Sequence, residues 1–475
     1  MNARKYGING TTQRNIFVYL GNNNPFTPLF NMKKILFILL AFTSIYASAQ
    51  TADDRAADYM NQENWFELQR EFTANKDSIS SFLQDFGQAL LDNFFNRPEA
   101  ACQSIGKLLN ERQDVMGFEN TASMILFLSG SLSKLGANDK AADILKNFCG
   151  QLEGQVDSNF LAPFKEREQE CRVLSEYDLF QWDKPGKDLI LPFRTDSVGK
   201  WGSCAITLQG SLNGKSQKFT LDTGAGVNVV TPEVANAYGM KMLDSEITAN
   251  GVRSGNGRLA LAEEIRIGDL VMRNVPFYVL DMKTGEEKVD KYMKHLEAII
   301  GLPLMNILQE IRLDFQTNRL TVPHVLTPAP EFAPNISYQR QNILDLEVIY
   351  DHERLCMNFD SGSDLSHLNY PYYEHHKERI ERIAERDSMG IGGFGGTARV
   401  CIYKLPGGGC FQIGQYMGCV DKLDVVATPD ENGAHFSRDG VVGMDFFKSF
   451  STITLNLKNM FVQTTPRKQK PSSAL

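Results

Sequence analysis

Two stretches of this 475-residue chain repeat each other, and the repetition constrains the fold more than any other feature. Phe219-Thr220-Leu221-Asp222-Thr223-Gly224-Ala225 is an apolar strand running into an acid, a hydroxyl and a glycine. Cys356-Met357-Asn358-Phe359-Asp360-Ser361-Gly362-Ser363 returns the same order. Singly, either tripeptide reads as ordinary turn and strand residues. Together they imply a duplicated β-unit that brings two carboxyls to one place.

Other landmarks follow each acid in the same sequence. After Asp222 come the glycine-bearing turn Gly251-Val252-Arg253-Ser254-Gly255-Asn256-Gly257, then Ile267-Gly268, Ile299-Ile300-Gly301 and the strand from Ile311. After Asp360 come Gly390-Ile391-Gly392-Gly393-Phe394-Gly395-Gly396, Ile413-Gly414, Val441-Val442-Gly443 and the strand from Thr452. The intervals from 222 to 301 and from 360 to 443 are 79 and 83 residues. Four landmarks in one order and at matched spacing are not expected of unrelated loops.

Paired carboxyls carry a specific chemistry. Two acids within hydrogen-bonding distance do not both ionise cheaply, so one keeps a proton that the other lacks. The ionised partner can activate a water while the protonated one steadies the oxyanion that forms at a carbonyl under attack. Thr223 and Ser361 suit a supporting role behind the acids. Gly224 and Gly362 let backbone approach closely.

Upstream the texture differs. From about 52 to 180 the pattern is helical: Phe82, Phe86, Leu90 and Phe94 recur every fourth residue after Asp77-Ser78, an expected N-cap. Pro98 suits a first helical turn, and Gly136-Ala137-Asn138-Asp139 separates helices over Ala122–Leu135 and Ala141–Phe148. Short connections imply an antiparallel helix-hairpin array over 50–182, its aromatic stripes forming core. Trp182-Asp183-Lys184-Pro185-Gly186 breaks that pattern, and short Val-, Ile- and Thr-rich segments follow.

At the start, residues 1–31 fit neither a domain nor a signal and read as an extension outside the natural chain. Residues 32–49 do fit one: Lys33-Lys34, an apolar run from Ile35 to Phe42, then Ala47-Ser48-Ala49, the pattern of a cleaved secretory signal. That run is too short to span a bilayer. Export to the periplasm or medium is therefore expected, with no membrane span after cleavage. Removing residues 1–49 takes five of the 49 basic residues and none of the 57 acidic ones, moving the net charge from −8 to −13. Such a balance disfavours nucleic acid as a partner. All eight cysteines survive cleavage; their spacing fits no zinc site and leaves the pairing open. His375-His376 sit in a charged helical stretch, Tyr372 to Arg386, and read as a solvated face rather than a metal site. No metal and no cofactor is expected. The basic end, 466–475, is expected to be unstructured.

From about 190 to 465 the chain resembles the aspartic peptidases of the retropepsin-like kind found in bacterial exported proteins. The resemblance rests on both Asp-Thr/Ser-Gly loops and both apolar-apolar-Gly segments. It implies an all-β, two-lobed acid-protease fold, with lobes over 190–328 and 338–465, following the helical domain. It further implies Asp222 and Asp360 as the catalytic dyad of an endopeptidase acting on a peptide or protein substrate. Thr223, Gly224, Ser361 and Gly362 would support the dyad, and Gly251, Val252, Gly392, Gly393 and Phe394 would lie in flaps over the substrate. A flap in each half resembles two fused retropepsin subunits, so a monomer with intramolecular lobe pairing is expected. Ser363, but not Ala225, offers a hydroxyl to its acid loop, which points to a pH optimum less acidic than a pepsin's. The alternative reading is a catalytically silent peptide-binding scaffold of the same fold that recruits partners through its helices.

Overall fold

The computed structural model describes residues 50–198, 203–250, 254–285, 287, 290, 296–340, 342–429 and 438–467. The signal segment, Gly251 and Val252 of the first expected flap, and residues 468–475 of the tail lie outside them.

Eight α-helices come first: Ala52–Asn61, Trp65–Asn75, Ser81–Phe94, Pro98–Glu111, Gln113–Met116, Phe118–Lys134, Asn138–Leu152 and Ser158–Leu174. Their starts follow cap chemistry. Thr51 forms a reciprocal capping box with Asp54, Asn64 accepts from the Glu67 amide, and Pro98 occupies a first-turn position. The expected aromatic stripe is core: Phe86, Leu90 and Phe94 are buried, and Trp65 stacks on Phe94 with ring centroids 4.2 Å apart. Each such side chain contributes roughly 1.5–3 kcal/mol by leaving water. The expected cap at Asp77-Ser78 is displaced. Lys76–Ser78 forms a 3₁₀ turn and the helix starts at Ser81, because the Ser80 amide donates to Asp53 Oδ1 of the first helix at 2.6 Å. A tertiary contact sets that boundary.

Two β-lobes follow, built on one plan. The strand Lys215–Leu221 ends at the first acid loop and Glu353–Phe359 at the second. Short strands at Val229–Val230 and His367–Leu368 begin seven residues after their acids. Next come a helix (Pro232–Ala237, Tyr370–Ile383) and a hairpin (Lys241–Asn250 with Ser254–Ile267, Glu385–Gly393 with Gly396–Leu405). The apolar-apolar-Gly segments are strands Ala298–Ile300 and Gly440–Val442, each running parallel beside its acid-bearing strand: Leu221 faces Ile300, and Phe359 faces Val442. Behind the acids a shared sheet joins the lobes. Glu310–Asp314 of the first lobe pairs antiparallel with Phe450–Asn456 of the second, with Leu313 opposite Ile453.

The charged stretch expected as one helix ends earlier than Arg386. It runs Tyr370–Ile383 and gives way to the hairpin strand at Glu385. His376 is held there by Glu353, 3.0 Å from Nε2, and by Tyr372, whose ring centroid is 4.2 Å away.

Candidate active site

The acid loops meet where the lobes meet. Each is first held by its own lobe. The Asp222 amide donates to the Ile300 carbonyl at 3.0 Å and the Asp360 amide to Val442 at 3.1 Å. The Leu302 amide donates to Ala225 and the Met444 amide to Ser363, both at 2.9 Å.

The lobes then hold each other. Thr223 Oγ1 donates to the Phe359 carbonyl at 2.8 Å and accepts from the Ser361 amide at 2.9 Å. Ser361 Oγ donates to the Leu221 carbonyl at 3.0 Å and accepts from the Thr223 amide at 2.9 Å. Both residues are buried, at 1% and 0% exposure, so these four bonds satisfy groups that water does not reach. The hydroxyls thus act across the interface on the opposite backbone rather than on the carboxyl of their own loop.

This cross-brace brings the carboxyls together. A Cβ on Gly224 would collide with the Asp360 carboxylate, and one on Gly362 with that of Asp222, so each acid lies over the other loop's glycine. Only glycine permits that approach. Within each loop the glycine amide donates to Oδ1 of the acid, Gly224 to Asp222 and Gly362 to Asp360, both at 2.8 Å. Burial raises the pKa of Asp222 well above the usual carboxylate range, the charge of Asp360 and a hydrogen bond between the two carboxyls push it further, and the Gly224 and Ala225 amides oppose the rise. A proton on this pair is therefore retained into pH ranges where a free carboxyl has lost it.

Two further residues support the loops without a motif that marks them in the sequence. Asn228 Oδ1 accepts the Gly301 amide, and Ser366 Oγ accepts the Gly443 amide, both at 3.0 Å. They stand at the same offset, six residues past each acid. That equal offset was the available signal, masked because the residue types differ. Ser363 departs from expectation: its hydroxyl donates to the Leu365 carbonyl at 3.1 Å, so it is committed within the loop rather than to the acid.

Of the flap residues, Gly392, Gly393 and Phe394 lie at the end of the second hairpin, where Gly393 pairs with Gly396 and Gly395 turns at φ +83°, a conformation side chains resist. The Phe394 ring reaches across to the first lobe: a Cβ on Gly255 would sit 2.8 Å from it. It packs against an apolar cluster that contains Ile247 and Leu280 and that also contacts Ala225 and Val227 beside the first acid.

Two lobes on one plan, a shared sheet behind them and an acid loop from each at the interface define a retropepsin-like acid-protease fold set behind a helical region. Residues 208–303, which include the first acid loop and its apolar-apolar-Gly strand, match the family model described as aspartyl protease. Among curated proteins, none matches the sequence. Solved structures similar to the chain include a basic 7S globulin from soybean (11% identity, 59% of this chain and 95% of the other, TM-score 0.35) and conglutin gamma, a basic 7S globulin from lupine seeds (10%, 60% and 96%, 0.37). A retropepsin-like aspartic protease from Rickettsia conorii is similar over 30% of this chain and 94% of its own, at 16% identity and TM-score 0.19.

Proposed function

We propose that the chain is an aspartic endopeptidase in which Asp222 and Asp360 activate one water between them. The observation that carries this reading is the crossed placement of the two carboxyls, each over the other loop's glycine, with the proton affinity of Asp222 raised by burial and by its neighbour. One carboxyl, ionised, takes a proton from the water. The water oxygen attacks the carbonyl carbon of the scissile amide, and the protonated partner donates to the carbonyl oxygen as charge gathers there. Collapse of the tetrahedral adduct breaks the C–N bond: the proton that the dyad took from the water passes to the departing nitrogen, and one hydroxyl proton of the adduct returns to the dyad, leaving a carboxyl product and the singly protonated pair. The Gly224 and Gly362 amides hold Oδ1 of each acid through these steps.

A monomer suffices on this reading, because one chain supplies both loops. Export is part of the proposal; the signal pattern at 32–49 supports it, as does the disulfide between Cys410 and Cys419. The test is incubation of the full chain with a peptide library across acidic and neutral pH, read by mass spectrometry, with Asp222→Ala and Asp360→Ala as controls. Cleavage by the wild type that both substitutions abolish supports the reading. Peptide binding without cleavage at any pH would make the chain the silent scaffold instead.

A further inference from the structure

The two hairpins are equivalent in plan and unequal in support. Each ends its sheet with an outer strand, Lys241–Asn250 in the first lobe and Glu385–Gly393 in the second, and an edge strand carries backbone groups with no ladder partner on one side. On the first strand the last helix of the helical region, Ser158–Leu174, meets that need. Glu166 accepts from the Thr248 amide and, at 3.1 Å, from the Thr248 hydroxyl. Gln169 Nε2 donates to the Asp244 carbonyl at 2.9 Å. Beneath these bonds Val173 and Leu174 belong to the same apolar cluster as Leu243 and Ile247, and the Lys241 ammonium lies 4.7 Å from the Tyr177 ring centroid.

The second strand is bare by comparison. Glu385, Arg386, Asp387, Ser388 and Gly390 are exposed. The side-chain bonds from Lys404 to Asp387 and from Arg399 to Ser388 stay inside the hairpin. Among the described residues it reaches the other lobe through the Phe394 ring, which lies against Gly255 and the apolar cluster of Ile247 and Leu280.

We propose that Glu166 is a positioning residue: it fixes the first hairpin in its closed place, so that the cleft opens through the second hairpin alone, with Phe394 as the latch. The helical region is then a working part of the cleft rather than a detachable segment, because its last helix completes one wall. Substrate enters as Phe394 leaves Gly255, and the fixed first hairpin offers a constant surface against which the peptide is aligned.

The proposal rests on the peptidase reading only for the purpose of the motion, so its test reads motion without turnover. Amide hydrogen exchange of the full chain, followed by mass spectrometry, compares residues 243–250 with residues 385–396. The expected result is exchange at least about tenfold slower in the first segment, lost in Glu166→Ala and partly kept in Glu166→Gln, which retains one acceptor oxygen. Gln169→Ala, which removes the Asp244 bond, is expected to shift the same segment and stands in if Glu166→Ala fails to fold. A peptide bearing a non-cleavable hydroxyl isostere slows residues 385–396 and leaves 243–250 unchanged. Where the wild type cleaves peptides, Glu166→Ala raises KM about tenfold with kcat within about twofold. Equal exchange of the two hairpins in the wild type, or unchanged exchange of 243–250 in a folded Glu166→Ala protein, overturns the proposal. A chain that cleaves nothing yet shows the exchange asymmetry refutes the peptidase reading and leaves the brace standing.

Discussion

Thr223→Val tests the cross-brace between the lobes. The substitution keeps the shape of the side chain and deletes its hydroxyl. The Phe359 carbonyl then loses the donor 2.8 Å away, and the Ser361 amide loses the acceptor 2.9 Å away. Both groups lie in an interface where Thr223 is 1% and Ser361 0% exposed, so water does not replace the lost partner. A buried polar group left unsatisfied costs about 1–3 kcal/mol, so two of them predict a loss of about 2–6 kcal/mol. The assay is equilibrium urea unfolding of the full chain. Thr223→Ser, which keeps the hydroxyl, is expected to lie near the wild type. Ser361→Ala strips the mirror-image pair, the Leu221 carbonyl and the Thr223 amide, so a double-mutant cycle between the two sites is expected to be non-additive. A Thr223→Val protein within about 0.5 kcal/mol of the wild type would refute the reasoning, since such a value belongs to a surface position.

Two further outcomes follow from the acid pair. The raised proton affinity of Asp222 extends the singly protonated dyad toward neutral pH, so the alkaline limb of kcat/KM is expected above the range in which free carboxyls titrate, about pH 4; a pH profile whose alkaline limb falls at or below that value contradicts it. Because the folded state binds this proton more tightly than the unfolded chain does, the stability it confers is full below the unfolded pKa and is lost as pH rises toward the raised one. Asp222→Asn is therefore expected to raise the melting temperature at pH 7 to 8 and leave it unchanged near pH 3. An equal shift at both ends would show that ionisation is not the cause.

The parts of the site legible in the sequence are those written as local pattern. The Asp222 and Asp360 loops follow apolar strands, and Ile299-Ile300-Gly301 and Val441-Val442-Gly443 sit at matched intervals, because a duplicated unit repeats its backbone requirements. The supporting contacts were harder to see, because they join residues distant in sequence. Asn228 and Ser366 perform one task with two residue types. The bond from Ser80 to Asp53 moves a helix start that Asp77-Ser78 alone would place earlier. Proximity in sequence points the Ser363 hydroxyl at its own acid, yet the carbonyl of Leu365, two residues on, accepts its hydrogen bond. The disulfide is an intermediate case. Once the hairpin turns between Ile413 and Tyr416, its register sets Cys410 opposite Cys419, so the pair was readable from a correctly placed turn and not from cysteine spacing. The brace from Glu166 to Thr248 left no trace in either segment, since a glutamate on a helix and a threonine on a strand are ordinary in both places.

The central claim is that two carboxyls act on one water as a unit, and hydrolysis in ¹⁸O-labelled water by the wild type, Asp222→Asn and Asp360→Asn tests it most directly. The wild type is expected to place one label in the new carboxyl terminus of each cleaved peptide. Each single substitution is expected to lower kcat by at least about 10²-fold while the protein remains folded, because neither acid works without the other. Label incorporation at the wild-type rate in either variant would contradict it.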